Sequence, residues 1–252
     1  MPVPSIRFAL SAGHGGVSVI ERGRTFVDAL AEALHQPVEL VVVDDYETLL
    51  AKLLANATEL AWMPPLMLTR AMRGGATLGA VSERDGSVTY RSAILVRADS
   101  PARTVEELSD VRAAWTDRNS GAGHIFPRLH LQAAGVWFAK EVFVGSPLAA
   151  CAAVAEGAAD LCACAVPEST ASAPERALAD VARVYGEATS RLRVIAITDS
   201  IPPDGIAFSP GVEPADAARY AETLTALHLH AGGVKALSDL MSVARLVRPS
   251  TS

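Results

Sequence analysis

The chain is poor in lysine, cysteine and aromatic residues, and each shortage excludes something. Lysine occurs only at Lys52, Lys140 and Lys235, among 22 basic residues that are otherwise arginine. Against 28 acidic residues this leaves a formal net charge of −6. A general nucleic-acid binder needs a basic face to neutralise phosphates, so nucleic acid is not an expected partner. A small anion stays admissible, because a few local donors suffice to hold one. The three cysteines, Cys151, Cys162 and Cys164, are an odd number without metal-ligand spacing. That argues against a disulfide scaffold and against a zinc site. Cys162 and Cys164 are two apart, share a face if they lie on a strand, and are expected as small core groups. No metal and no cofactor is expected.

Long apolar runs are missing too: none reaches the roughly 18–20 residues of a membrane span, so no transmembrane segment is expected. Met1 to Leu10 lacks the basic start and long apolar stretch of a secretory signal. The expected location is therefore cytoplasmic, or periplasmic or cell-surface if a leader has been removed. Also absent are a Gly-Lys-Ser/Thr phosphate loop, His-Glu-x-x-His and Gly-x-Ser-x-Gly. No catalytic residue is identifiable by motif.

What is present is the composition of a folded protein. Of the 252 residues 50% are apolar and 20% charged, which excludes disorder as the main state. The length suits one large domain or two lobes. Short β-rich runs alternate with amphipathic stretches, as in an open parallel sheet with both faces covered. Strands are expected over Ile6–Leu10, Val38–Val43, Leu60–Met63, Ala76–Val81 and Thr89–Arg97. Further strands are expected near Ala113–Thr116, Glu141–Val144, Asp160–Ala165 and Arg191–Thr198. Helices are expected over Val19–His35, Tyr46–Asn56, up to Met72, Pro214–Ala231 and Gly233–Ala244. Thr104-Val105-Glu106-Glu107 has the form of a capping box. Ser82–Val88 reads as a loop and Pro202-Pro203-Asp204-Gly205 as a turn cluster. Two βαβ groups suggest two α/β lobes, with ligand bound in the cleft between them at the C-terminal ends of strands.

The segment Asp117-Arg118-Asn119-Ser120-Gly121-Ala122-Gly123-His124 lies between a strand and a helix. Its small residues let the backbone approach a ligand, and free N–H groups at a helix start favour an anion. The plainer alternative is a connecting loop whose glycines serve turn geometry. Gly13-His14-Gly15-Gly16 is a second glycine-rich turn, and it does not match a dinucleotide fingerprint. There His14 is the residue able to bind an anion or shuttle a proton. Tyr46, Trp62 and Tyr90 fall at predicted strand ends and suit a cleft, with core packing as the alternative.

Thr89 to Pro101, followed by Val105-Glu106-Glu107-Leu108, resembles the lobe-crossing strand and helix of the phosphonate/phosphate/phosphite-type substrate-binding proteins of ABC transporters. Asn119-Ser120 to Phe126-Pro127 stands at the place of that family's N-S-T-S-G-x-x-x-P anion loop. Asp44-Asp45-Tyr46 resembles its first-lobe tyrosine segment, and Glu59-Leu60-Ala61-Trp62 its V-D-I-A-W strand. Val144-Gly145-Ser146 to Val154, then Gly157 to Asp160, resembles its G-H…A-V…G-x-V-D helix and strand. Ile201-Pro202-Pro203-Asp204 resembles I-P-x-D. The resemblance runs from about residue 6 to about residue 245.

It implies an α/β, two-lobed type II periplasmic-binding-protein fold. Each lobe would be a mostly parallel sheet flanked by helices, closing over a ligand about a hinge of two crossing strands. Lobe 1 would be 1–92 with 199–252, and lobe 2 would be 93–198. The implied ligand-binding residues are Tyr46, Tyr90, Ser120, the backbone of Gly121, Ala122, Gly123 and His124, Ser146 and Asp204, with His14 and His124 able to add contacts. The loop's Thr and second Ser are Gly121 and Ala122 here, and the histidine after the glycine is Ser146. Each lost hydrogen bond to a charged group is worth about 1.5–3 kcal/mol. These departures predict a roomier, less polar pocket and argue against phosphonate or phosphate as the ligand. The expected function is binding of a small anionic organic molecule, with an ABC permease as partner if the protein is exported. The alternative is an enzyme on the same fold, lyase-, dehydratase- or pyrimidine-synthase-like, using His14, His124, Asp204 or Glu168 as acid or base.

Overall fold

The computed structural model of the protein describes residues 4–12, 17–170 and 173–249. The chain divides into two compact units, Met1–Val88 with Pro203–Ser252, and Thr89–Pro202. In chain order the first unit holds β1 (Ile6–Ser11), α1 (Val17–Leu34), β2 (Val38–Val43), α2 (Tyr46–Leu54), β3 (Leu60–Met63), α3 (Pro65–Arg73) and β4 (Thr77–Glu83). The second holds β5 (Tyr90–Arg97), β6 (Val111–Trp115), α4 (Phe126–Ala133), β7 (Phe138–Phe143), α5 (Pro147–Ala155), β8 (Leu161–Pro167), α6 (Pro174–Tyr185) and β9 (Leu192–Ile197). The chain then returns to the first unit as β10 (Gly205–Phe208), α7 (Pro214–Ala226), α8 (Gly233–Met241) and β11 (Arg245–Val247).

The first sheet has the strand order β11-β4-β10-β3-β1-β2. β1 pairs in parallel with β2 and β3, whereas β10 is antiparallel to β3 and β4, and β11 to β4. Thus β1 to β4 run one way and β10 and β11 the other. The second sheet has the order β7-β6-β8-β5-β9, with β6, β7, β8 and β9 running one way and β5 reversed. In each unit the reversed inner strand, β5 or β10, is the first element after the chain crosses over.

Both sheets are covered on both faces, as near-continuous apolar strands require. Ile6, Phe8 and Leu10 of β1 pack with Phe26, Leu30, Leu224 and Leu237 of α1, α7 and α8. The intervening Ala9 joins Leu49, Leu53, Met63 and Met67 on the opposite face. The period of two decides which helix each residue meets. Fully burying a Phe or Leu contributes about 1.5–3 kcal/mol. In the second unit Ala93, Leu95, Cys162 and Cys164 face Ala150, Cys151 and Val154 of α5, while Ile94, Trp115, Leu161 and Ala163 face Leu131 of α4. All three cysteines are free and buried, with the sulfurs of Cys151 and Cys164 3.4 Å apart.

Most strands fall where hydrophobic patterning places them. Two were not anticipated. The four residues Gly205–Phe208 directly follow a turn cluster and carry no alternation, yet all are buried between β3 and β4. β11 is a three-residue edge held by β4. The last helix stops at Met241, short of the predicted Ala244, because Ser242 turns to φ 55°. Thr104 makes no side-chain cap; instead the Arg103 N–H donates to Glu107 Oε2 at 2.6 Å. The predicted loop after Val81 is shorter, since β4 continues to Glu83 and Arg84 bridges Ser87 in a tight turn.

Candidate functional site

The loop after β6 is built by local hydrogen bonding. Asp117 Oδ1 accepts from the Asn119 N–H at 2.8 Å, forming an Asx turn that leads into Ser120. Ser120 is the helix cap, and its Oγ accepts from the Gly123 N–H at 3.0 Å. Residues Gly121–Ile125 form one wide turn of π type, closed by the Ile125 N–H donating to the Ser120 carbonyl at 2.9 Å. Pro127 follows in the first turn of α4, where its missing N–H does no harm. Single π turns inside helices recur at functional sites.

The turn is pinned from below. Ser92 Oγ on β5 donates to the Ala122 carbonyl at 2.7 Å, and the Thr116 N–H donates to the Gly123 carbonyl at 3.1 Å. The N–H groups of Gly121 and Ala122 have no acceptor among the described residues. Close approach requires glycine at 123, whereas at 121 a side chain would have to displace the end of Tyr90. A Cβ on Gly121 would lie 2.7 Å from the Tyr90 hydroxyl, and one on Gly123 would lie 2.4 Å from Thr116 Oγ1. Thr116 Oγ1 is buried and has no hydrogen-bond partner among the described residues. The Gly145 N–H donates to the Thr116 carbonyl at 2.8 Å, which brings the start of α5 alongside. There Ser146 Oγ caps the helix, accepting from the Ala149 N–H at 3.1 Å. The second unit therefore gathers Tyr90, Ser120, Gly121, Ala122, Gly123, His124 and Ser146 at the C-terminal edge of its sheet.

His124 is held by its surroundings. Its Nδ1 lies 2.9 Å from the Arg118 carbonyl, which can only accept, so Nδ1 carries the proton. The ring packs against Trp115 at 5.4 Å and edge-on against Phe143 at 4.9 Å. Burial pushes its pKa below the ordinary histidine value, so the imidazole is neutral at pH 7. Nearby, Glu141 accepts from Arg128 and from Trp115 Nε1, and the Arg128 bond holds its carboxyl below the usual range.

In the first unit Tyr46 and Asp204 lie at the corresponding edge of the sheet. Tyr46 opens α2, whose cap is Asp45 accepting from the Thr48 N–H at 2.7 Å, and it is buried among Leu49, Leu50 and Met67. Asp204 is buried with both carboxylate oxygens engaged. Trp62 Nε1 and Ser82 Oγ donate to Oδ2 at 2.9 and 2.8 Å, and Arg84 Nη2 pairs with Oδ1 at 2.9 Å. Burial raises the pKa of this carboxyl, but Arg84, Trp62 and Ser82 outweigh it and hold the group ionised. His14 lies outside the described residues. Glu168 accepts from Arg91 Nε at 2.9 Å and Ser200 Oγ at 2.7 Å, and those bonds outweigh its desolvation, so it too stays below the ordinary range. Neither acid has the raised pKa that a general acid at neutral pH needs.

Residues 15–252 match the family described as ABC transporter, phosphonate, periplasmic substrate-binding protein. The chain belongs to that family. Its role is solute binding, and the match lends no support to the enzyme alternative. Similar solved structures include XAC2383 from Xanthomonas citri bound to ATP, at 18% identity and TM-score 0.77, covering 98% of this chain and 91% of that one. PhnD1 from Prochlorococcus marinus in complex with methylphosphonate has 18% identity and TM-score 0.74, with coverages of 98% and 93%. A binding protein component of the ABC phosphonate transporter of Pseudomonas aeruginosa has 16% identity and TM-score 0.72, with coverages of 98% and 82%. These likenesses establish the two-lobed type II periplasmic-binding-protein fold. The family is described as periplasmic. Among the described residues no helix is long and apolar enough to cross a membrane.

Sequence reasoning located the Ser120–His124 turn but missed Thr116, Ser92 and Arg84. Thr116 adjoins the glycine-rich segment and was readable as part of it. Ser92 and Arg84 carry no local signal, since their partners are 30 and about 120 residues away.

Proposed function

We propose that this phosphonate-family binding protein holds a small organic anion on the Ser120–His124 turn of its second unit and hands it to an ABC permease on the periplasmic side of the membrane. The observation that carries this reading is the pair of unengaged N–H groups at Gly121 and Ala122, on a turn whose carbonyls are tied back by Ser92 and Thr116. Fixed N–H donors at a helix start favour negative charge and need no reorganisation on binding. Tyr90, Ser120 and Ser146 add hydroxyls around them, and neutral His124 adds a ring without competing charge. Tyr46 packs beneath the first unit's edge, and Asp204 serves as an anchor there, since both its carboxylate oxygens already hold partners.

The test is a binding titration with methylphosphonate, inorganic phosphate, propionate and benzoate. A ligand at 100 times its dissociation constant adds about 2.7 kcal/mol of stability, a readable thermal shift. The side chain introduced by Gly121→Val occupies the space between the turn and the Tyr90 hydroxyl. Binding of at least one anion by the wild type and its loss in that variant is the expected result. Undiminished binding by the folded variant would remove the turn from the site.

A further inference from the structure

Three thiols meet inside the second unit. Cys162 and Cys164 are two apart on β8 and so share the face that α5 covers, and Cys151 of α5 packs against them there. The sulfurs of Cys151 and Cys164 are 3.4 Å apart, and Cys151 also hydrogen-bonds Cys162. None of the three is more than 1% exposed. Among the described residues no group of histidine, cysteine or acid is arranged to hold a metal ion, so the cluster is not a ligand set. The family is described as periplasmic, and the bacterial periplasm is kept oxidising, where thiols in contact do not stay reduced.

We propose that Cys151 and Cys164 form a disulfide that ties α5 to β8 and leaves Cys162 as the one free thiol. The pairing follows from placement. Strand residues two apart hold their Cβ atoms roughly 6.6 Å apart, beyond the roughly 3.5–4.5 Å that a disulfide spans, so Cys162 and Cys164 do not join each other. Cys151 comes from another element, and Cys164 is the neighbour whose sulfur lies at 3.4 Å. The oxidant is the disulfide of an external thiol. The Cys151 thiolate attacks it, forming a mixed disulfide and releasing one thiol. The Cys164 sulfur then attacks the Cys151 sulfur, forming the internal S–S bond and releasing the second thiol. The two protons lost by the cysteines end on the two released thiols. These steps precede the packing of α5 onto β8, because the folded unit shuts the sulfurs away from reagents. The bridge is independent of the anion seat.

The experiment produces the full chain in bacterial cells with an oxidising cytoplasm and in cells with an ordinary reducing one. Each folded product is alkylated in denaturant and mapped by mass spectrometry of its unreduced peptides. The chain from oxidising cells is expected to carry the Cys151–Cys164 bridge with Cys162 alkylated, and the chain from reducing cells three alkylated cysteines. The bridged chain should melt about 6–12 °C higher, the effect of closing a loop between positions 13 residues apart. Cys162→Ala should keep both the bridge and the shift, and Cys151→Ala should lose both. Three free thiols in the folded product of the oxidising cells would overturn the proposal, as would a bridge that uses Cys162.

Discussion

Replacing Asp204 by asparagine isolates what its buried carboxylate does. The amide is nearly isosteric, but it has one acceptor oxygen in place of two. With that oxygen turned to Trp62 and Ser82, the amide nitrogen faces Arg84 Nη2 where an oxygen stood at 2.9 Å. Donor then meets donor, and the guanidinium loses the charge of Asp204 while keeping its bond to the Met241 carbonyl. Breaking a buried ion pair from one side costs about 3–5 kcal/mol. The Arg84 side chain is 30% exposed and its partner 12%, so water relieves part of the penalty and the lower end, about 3 kcal/mol, applies. For a chain of this size that lowers the melting temperature by roughly 6–12 °C. Scanning calorimetry of the unliganded protein reads the shift, and Trp62 fluorescence reports the altered acceptor. Adding Arg84→Gln to Asp204→Asn should cost less than the two single losses together, because the partners share one interaction. Unliganded Asp204→Asn melting within about 1 kcal/mol of wild type would refute the anchoring argument and return Asp204 to the ligand contacts.

Acid should destabilise the protein in two stages. Glu141 and Asp160 are held below the ordinary carboxylate range chiefly by Arg128 and Arg112, and Asp204 by Arg84 despite its burial. Their contribution is complete above the unfolded pKa of about 4 and is lost as pH falls through the lower folded values. His124 acts earlier. Burial lowers its pKa, so the unfolded chain takes up the proton first and stability declines as pH drops below about 6.5. Urea titrations from pH 7.5 to 3 should show both limbs, and His124→Gln should remove only the upper one. The cysteines should be inert in the native state, because all three are buried in the apolar core of the second unit. An aromatic disulfide reagent should label them only after denaturation, and labelling of the native protein within minutes would contradict that placement.

Hydrophobic periodicity alone was enough to place every strand except β10 and β11, and the helices α1 and α2 to within two residues. In β1 the alternation of Phe8 and Leu10 against Ala9 leaves no other way to bury both faces. Turn chemistry was likewise local: Asp117 and Ser120 bond within three residues of themselves, so the Ser120–His124 turn was legible before any tertiary contact was known. The order of several short motifs along the chain carried the family resemblance, which no one of them carried alone.

Tertiary structure decided the rest. β10 exists only because β3 and β4 leave a gap that four residues fill, and nothing in Gly-Ile-Ala-Phe announces a strand. The same folding delivers Trp62, Ser82 and Arg84 to Asp204 from far along the chain. A residue read from sequence as a ligand contact is thereby held by three side chains that no local pattern could have named. Arg118 shows the converse. Its charge was plain in the sequence, but its position depends on Phe143, which reaches it through the parallel pairing of β6 with β7. Local bonding and periodicity act over a few residues and are written in the sequence directly. Partners brought together by sheet pairing are set by the packing of the whole unit, and only the fold reveals them.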